Sequence, residues 1–164
     1  EPTLWERPGR LVAYHFQNPD AQLFRSTVQS ELAIGAARAG RPRDISDELV
    51  RWSASTFGVE PILDSHPQEL PFAVRKRVAL AATFARGLPY LILDEPTLGQ
   101  DDDSVDTLSR IIRLQARQGQ AILVISHCQR LIRGLEARQV ILRNGVLRDQ
   151  GKEASDAVGD AAKL

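Results

Sequence analysis

Apolar and polar residues change period along this chain, and each change marks an element. Residues 11–16 (LVAYHF) form a short apolar run ended by the turn cluster Gln17-Asn18-Pro19-Asp20, which predicts a strand and a loop. Over residues 26–39 the apolar positions Val28, Leu32, Ala33 and Ala36 have helical spacing, broken by Gly40-Arg41-Pro42-Arg43. A second helix is predicted over roughly 46–57, opened by Ser46-Asp47-Glu48 and followed by Gly58. Residues 61–67 read as a connector. A strong helix then runs from Pro71 or Phe72 to Arg86, closed by Gly87.

The second half alternates. An apolar run at 90–93 (YLIL) predicts a strand, and residues 103–118 a helix that the Asp101-Asp102-Asp103 cluster caps and Gly119 stops. Ala121–Ile125 (AILVI) is a continuous apolar strand ending at Ser126-His127, and a short helix follows over about 129–135. Residues 139–143 and 146–148 read as strands joined by Asn144-Gly145, a strong hairpin signal. The Ala-, Asp- and Gly-rich tail, 152–164, is expected to be loosely held. No internal repeat is evident. Two apolar strands flanking one helix predict an α/β fold with a parallel sheet, and the helix-only block at 26–87 predicts an inserted helical subdomain.

Composition narrows the classes. The 164 residues suffice for one domain with a core, and 43% are hydrophobic. Lys and Arg number 21, as do Asp and Glu, so broad electrostatic binding to nucleic acid is disfavoured. No apolar run approaches the roughly 18–20 residues that span a bilayer. The single cysteine, Cys128, excludes an internal disulfide, and a cytoplasmic compartment is the expectation. Methionine is absent and the sequence opens at Glu1-Pro2-Thr3, which predicts a processed chain or a fragment. Lysine is confined to Lys76, Lys152 and Lys163.

The candidate chemistry centres on residues 90–101, YLILDEPTLGQD. An apolar strand here ends in two adjacent carboxylates. Asp94 and Glu95 therefore emerge where a sheet can hold a hard cation and a water molecule against a phosphate. His127 ends the second apolar strand, and imidazole can donate to a phosphate while accepting elsewhere. His15 and His66 read as structural, and Arg75-Lys76-Arg77 reads as a solvated helix face.

These segments together resemble an ABC-type ATPase. DEP at 94–96 resembles its Walker B motif, which implies Asp94 on Mg²⁺ and Glu95 as the base beside the attacking water. Phe16-Gln17-Asn18-Pro19-Asp20-Ala21-Gln22-Leu23-Phe24 resembles the Q-loop in the form typical of the energy-coupling branch that drives cobalt, nickel and vitamin import. The resemblance makes Gln17 a metal and γ-phosphate contact and His127 the switch histidine. Cys128 stands where an acidic residue is frequent. TLGQD resembles the D-loop of the same branch, with Asp101 at a dimer interface or serving as a helix cap. Residues 66–81 resemble the signature helix, normally LSGGQ, but the five positions here read Leu70, Pro71, Phe72, Ala73 and Val74. Pro71 lacks an N–H and Phe72 puts a ring where glycine allows close approach, so phosphate holding should be weakened.

The phosphate loop GxxxxGK[ST] does not occur in the sequence. The resemblance therefore implies a partial P-loop NTPase fold, covering roughly the C-terminal two-thirds of a nucleotide-binding domain. It divides as a Q-loop strand and loop (1–25), the helical subdomain (26–87), a RecA-like part (88–151) and the tail (152–164). The intact domain would use ATP and Mg²⁺ and would partner a transmembrane subunit and a second ATPase subunit. A homo-oligomer of this chain could cover its sheet edge. The other reading is a non-catalytic pseudo-ATPase module. A DNA-acting ABC ATPase is disfavoured by neutral charge and by the lack of heptads between Gln17 and Leu70.

Overall fold

The computed structural model describes residues 11–38 and 42–150. The expected tail at 152–164 and the Gly40-Arg41 break lie outside the described residues. The elements are β1 (Val12–His15), α1 (Val28–Arg38), α2 (Arg43–Thr56), α3 (Phe72–Ala85), β2 (Tyr90–Asp94), α4 (Asp102–Arg117), β3 (Ala121–Ile125), α5 (Gln129–Leu135), β4 (Val140–Arg143) and β5 (Val146–Asp149). The chain forms two compact units, one through Gly134 and one from Leu135 onward.

The first unit holds a parallel sheet in the order β1-β2-β3. Register sets His15 opposite Leu93 and Asp94 opposite Ile125. Side chains alternate across it: Ala13, His15, Leu91 and Leu93 are buried on one face. The other face is partly open, with Tyr90, Leu123 and Ile125 exposed at 51%, 56% and 47%. A parallel sheet is normally covered on both faces, so this apolar face is the unusual one.

Helix α3 is the centre of the helical block. From Val78 to Ala85 every residue is buried, the pattern of a helix packed on several sides. Phe84 stacks between Phe57 at 5.2 Å and Trp52 at 6.3 Å, which seats α2. Gly35 seats α1, since a Cβ there would lie 2.9 Å from the Ala82 carbonyl. Helix α4 buries Val105, Leu108, Ile111 and Ile112 on one stripe.

The start of α2 and the connector depart from expectation. Helix α2 begins at Arg43, not near Ser46, because Pro42 takes the cap position with an extended ψ of 148°. Ser46 is then inside the helix, its hydroxyl donating to the Pro42 carbonyl at 3.1 Å. The connector holds two single 3₁₀ turns, Glu60–Ile62 and Pro67–Glu69, each with proline near its start.

The second unit is the β4–β5 antiparallel hairpin, with Arg143 opposite Val146. Asn144 and Gly145 turn it at φ 49° and 78°, the left-handed pair a tight two-residue hairpin needs.

Candidate functional site

The site is built where β2 and β3 end. Strand β2 delivers Asp94, and the chain then turns sharply through Glu95. Glu95 adopts φ 43°, a conformation costly for a residue with a Cβ, while its amide donates to the Ile125 carbonyl at 2.9 Å. Its carboxylate Oε1 meets His127 Nδ1 at 2.8 Å. Ser126 Oγ is 3.5 Å from the other carboxylate oxygen. The Glu95 side chain is 15% exposed and that of His127 81%, so the pair opens outward through the imidazole.

Helix α5 is anchored just beyond His127. Ser126 Oγ accepts from the Cys128 amide at 3.1 Å. Arg130 Nε and Nη2 donate to the two oxygens of Asp106 at 2.7 and 2.6 Å, and Nη1 donates to Asp102 at 2.9 Å. This fork ties α5 to α4. Arg130 holds the Asp106 carboxyl below its ordinary range, and Asp106 in turn raises the guanidinium.

Asp94 has a partner that sequence reasoning missed. The Tyr14 hydroxyl donates to Asp94 Oδ2 at 2.9 Å, which raises the phenol's pKa. Tyr14 lies on the open face of β1 opposite Ile92, one alternation from Asp94. Only the strand register could have revealed this pair.

The Gln17 loop packs on α3. Asn18 Oδ1 accepts from the Asp20 amide at 3.0 Å, and Arg75 Nε pairs with Asp20 Oδ1 at 2.8 Å. The Gln22 amide donates to the Ala79 carbonyl and the Thr83 hydroxyl, both at 2.8 Å. Lys76 Nζ donates to the Gln17 carbonyl at 2.6 Å and more weakly to that of Phe16 at 3.4 Å. The expectation of a solvated basic face is thus overturned at its centre: Lys76 is 0% exposed. Helix α3 enters beneath the loop, so the position facing it becomes interior. Burial lowers the Lys76 pKa to about 8, with Asp94 and Glu95 opposing the shift.

Gln17 and Asp94 line one groove of about 560 Å³ with Phe16, Phe72 and Leu98. The signature-like segment borders it. Leu70 receives Arg75 Nη1 on its carbonyl at 2.7 Å. Pro71 caps α3 through its backbone, its carbonyl accepting from Val74 and Arg75 at 2.9 Å, with no side-chain cap. The Phe72 ring lies against Gly99, 3.2 Å from where a Cβ at that residue would stand. The Ala73 carbonyl accepts from Gln100 Nε2 at 3.1 Å. Asp101 caps α4 by accepting from the Ser104 amide at 2.8 Å, a bond that holds its carboxyl below its ordinary range.

The two other histidines serve the framework. His15 is fully buried, and burial lowers its pKa to about 3, with Lys76 adding to the effect. His66 Nδ1 accepts from the Gln68 amide at 3.3 Å and caps the 3₁₀ turn.

The geometry can be set against known proteins. The chain is 33% identical over 143 residues to the ABC transporter ATP-binding protein PF0068 of Pyrococcus furiosus, covering 87% of this chain and 55% of that protein. It is 35% identical over 140 residues to the energy-coupling factor transporter ATP-binding protein EcfA of Methanothermobacter thermautotrophicus, covering 85% and 45%. Its homologues are ABC transporter ATP-binding proteins. It spans about half the length of the curated relatives it matches. Among solved structures, cbiO1 of Clostridium perfringens, part of the ABC transporter complex cbiONQ, superposes with a TM-score of 0.71 at 27% identity. That match covers 90% of this chain and 60% of cbiO1. No protein-family model matches the chain. The fold is the ABC ATPase α/β fold over the part the chain spans, as the motifs predicted.

ABC ATPases of this kind imply ATP and Mg²⁺ in the intact domain. Among the described residues no group of three or more His, Cys, Asp or Glu side chains gathers as a metal cluster. Mg²⁺ does not need one, because it keeps several waters and takes one or two carboxylates beside phosphate oxygens. Asp94, with Oδ2 bonded by Tyr14, and the Gln17 amide on the same groove are hard oxygen donors of that kind. The residues fit Mg²⁺. The pattern GxxxxGK[ST], whose amides and lysine hold the phosphates in such domains, does not occur in this sequence.

Among the described residues no helix is long and apolar enough to cross a membrane.

Proposed function

We propose that this chain supplies the part after the Q-loop of an ABC ATPase that couples ATP hydrolysis to import of a metal ion or vitamin. The observation that carries the reading is the 2.8 Å contact of Glu95 with His127, set beside Asp94 at the end of β2. A carboxylate held by an imidazole is oriented for a proton it can accept, and general-base positioning of this kind contributes roughly 10²–10⁴-fold. In this reading Glu95 orients or deprotonates the attacking water. His127, open to solvent beyond Glu95, donates to the γ-phosphate. Asp94 and Gln17 hold Mg²⁺, and the bound ion supplies charge neutralisation on phosphate oxygens.

The domain divides as a Q-loop segment (1–25), a helical subdomain (26–87), a RecA-like part (88–151) and a tail (152–164). The Q-loop and helical block would contact a transmembrane subunit at the cytoplasmic face of the membrane. A second ATPase subunit would complete each site, with Asp101 and the segment Leu70 to Val74 at that interface. The import assignment is supported by the EcfA relative and the cbiO1 likeness. This chain alone neither binds ATP tightly nor hydrolyses it.

One observation favours a second reading, a non-catalytic partner of a complete ATPase. The Phe72 ring against Gly99 and the proline cap at Pro71 occupy the helix start that would otherwise present amides to a phosphate. Mg²⁺-dependent ATP hydrolysis separates the two. The protein is paired with an ATPase subunit bearing GxxxxGK[ST] and compared with its Glu95→Gln variant. Loss of turnover in the variant supports the catalytic reading, and unchanged turnover supports the partner module.

A further inference from the structure

We infer that Lys76 is a positioning residue for Gln17, its buried side chain setting the direction in which the Gln17 amide points. The inference deepens the proposed function and rests on its assignment of Gln17 to the cation.

Lys76 is 0% exposed. A buried ammonium is expensive unless its donors are satisfied, and an apolar side chain of similar length would fill the same space without that penalty. The charge is therefore explained by what it binds. Its hydrogen bonds run to two consecutive carbonyls, Gln17 at 2.6 Å and Phe16 at 3.4 Å. One donor on two successive carbonyls orients two successive peptide planes. Those planes flank the Gln17 Cα and so fix the direction of its side chain. The far end of the loop is held separately, Asp20 by Arg75 and Gln22 by Ala79 and Thr83. Lys76 thus controls the near end, where Gln17 faces the groove it shares with Asp94. Lys76 also stands on the same helix as the signature-like segment, six residues beyond Leu70. A shift of α3 along its axis would reach Gln17 directly through this side chain.

The test uses this chain in solution, with Mn²⁺ alone as a paramagnetic probe. In the wild type, nuclear magnetic resonance should detect a scalar coupling from Lys76 Nζ across the hydrogen bond to the Gln17 carbonyl. In Lys76→Met, backbone order parameters at Gln17 and Asn18 should fall from about 0.85 to below about 0.6 while Asp20 to Gln22 stay rigid. Broadening of the Gln17 side-chain amide should then require about ten-fold more Mn²⁺. Lys76→Arg, which keeps the donor, should restore both readouts. Absence of the coupling overturns the inference, as does a Lys76→Met chain with Gln17 unchanged in order and in Mn²⁺ response. Should Lys76→Met fail to fold, the wild-type coupling decides alone. If Mn²⁺ broadens Asp94 but not Gln17 in the wild type, the cation role of Gln17 in the proposed function is rejected, and the coupling and order parameters judge Lys76 separately.

Discussion

The Phe72 ring lies so close to Gly99 that a Cβ there would press on it. A Cβ there would stand 3.2 Å from two ring carbons, and the backbone is at φ 75°. Gly99→Ala therefore meets two penalties, a steric one and a conformational one. The expected loss is about 1–3 kcal/mol of stability, read by urea denaturation. Adding Phe72→Ala should recover the steric share and leave the conformational one.

The same contact bears on activity. Pro71→Ser with Phe72→Gly would restore a hydroxyl and an amide at the start of α3 and withdraw the ring. In a complete pair of ATPase subunits the double variant is expected to raise the hydrolysis rate. Equal rates for the double variant and the wild type would mean that this helix start does not face a phosphate.

Glu95 carries a sharper expectation. In the same pair, Glu95→Gln should lower turnover by roughly 10²–10⁴-fold with little change in fold, since the amide can keep its contact with His127. This chain by itself should show no Mg²⁺-dependent hydrolysis. A rate measured on it alone and abolished by Glu95→Gln would overturn that expectation.

The Arg130 fork gives a pH prediction. Asp106 is held below its ordinary value of 3.8 when folded, chiefly by hydrogen bonding to Arg130. Between the folded and unfolded values the unfolded chain binds more protons, so stability from this pair is complete above pH 3.8 and is lost as pH falls through the folded value. A carboxyl titration followed by carbon resonance should place Asp106 below 3.8. Arg130→Gln should move its midpoint upward. An unmoved midpoint would assign the shift to some other group.

Much of this arrangement was readable from residue order. Apolar runs ending in Asp94 and at Ser126 predicted two adjacent parallel strands. That adjacency is what brings Glu95 and His127 together across 32 positions. Asn144-Gly145 announced its hairpin because few residues tolerate two successive left-handed conformations. Other features depended on tertiary placement. Arg75, Lys76 and Arg77 look alike as a charge run, yet the loop folded over α3 makes Lys76 interior. Tyr14 finds Asp94 only through the β1–β2 register. Ser46 had the composition of a helix cap, but Pro42, four residues earlier, took the role.

Glu95 stands at φ 43°, a conformation that costs a residue with a Cβ about 1–2 kcal/mol and glycine almost nothing. A mutational scan ranked by melting temperature would accordingly favour Gly at this position. It would also delete the carboxylate that faces His127. Engineering for robustness and engineering for turnover therefore select different residues at position 95, and a consensus-style stabilisation of this chain should leave that position untouched.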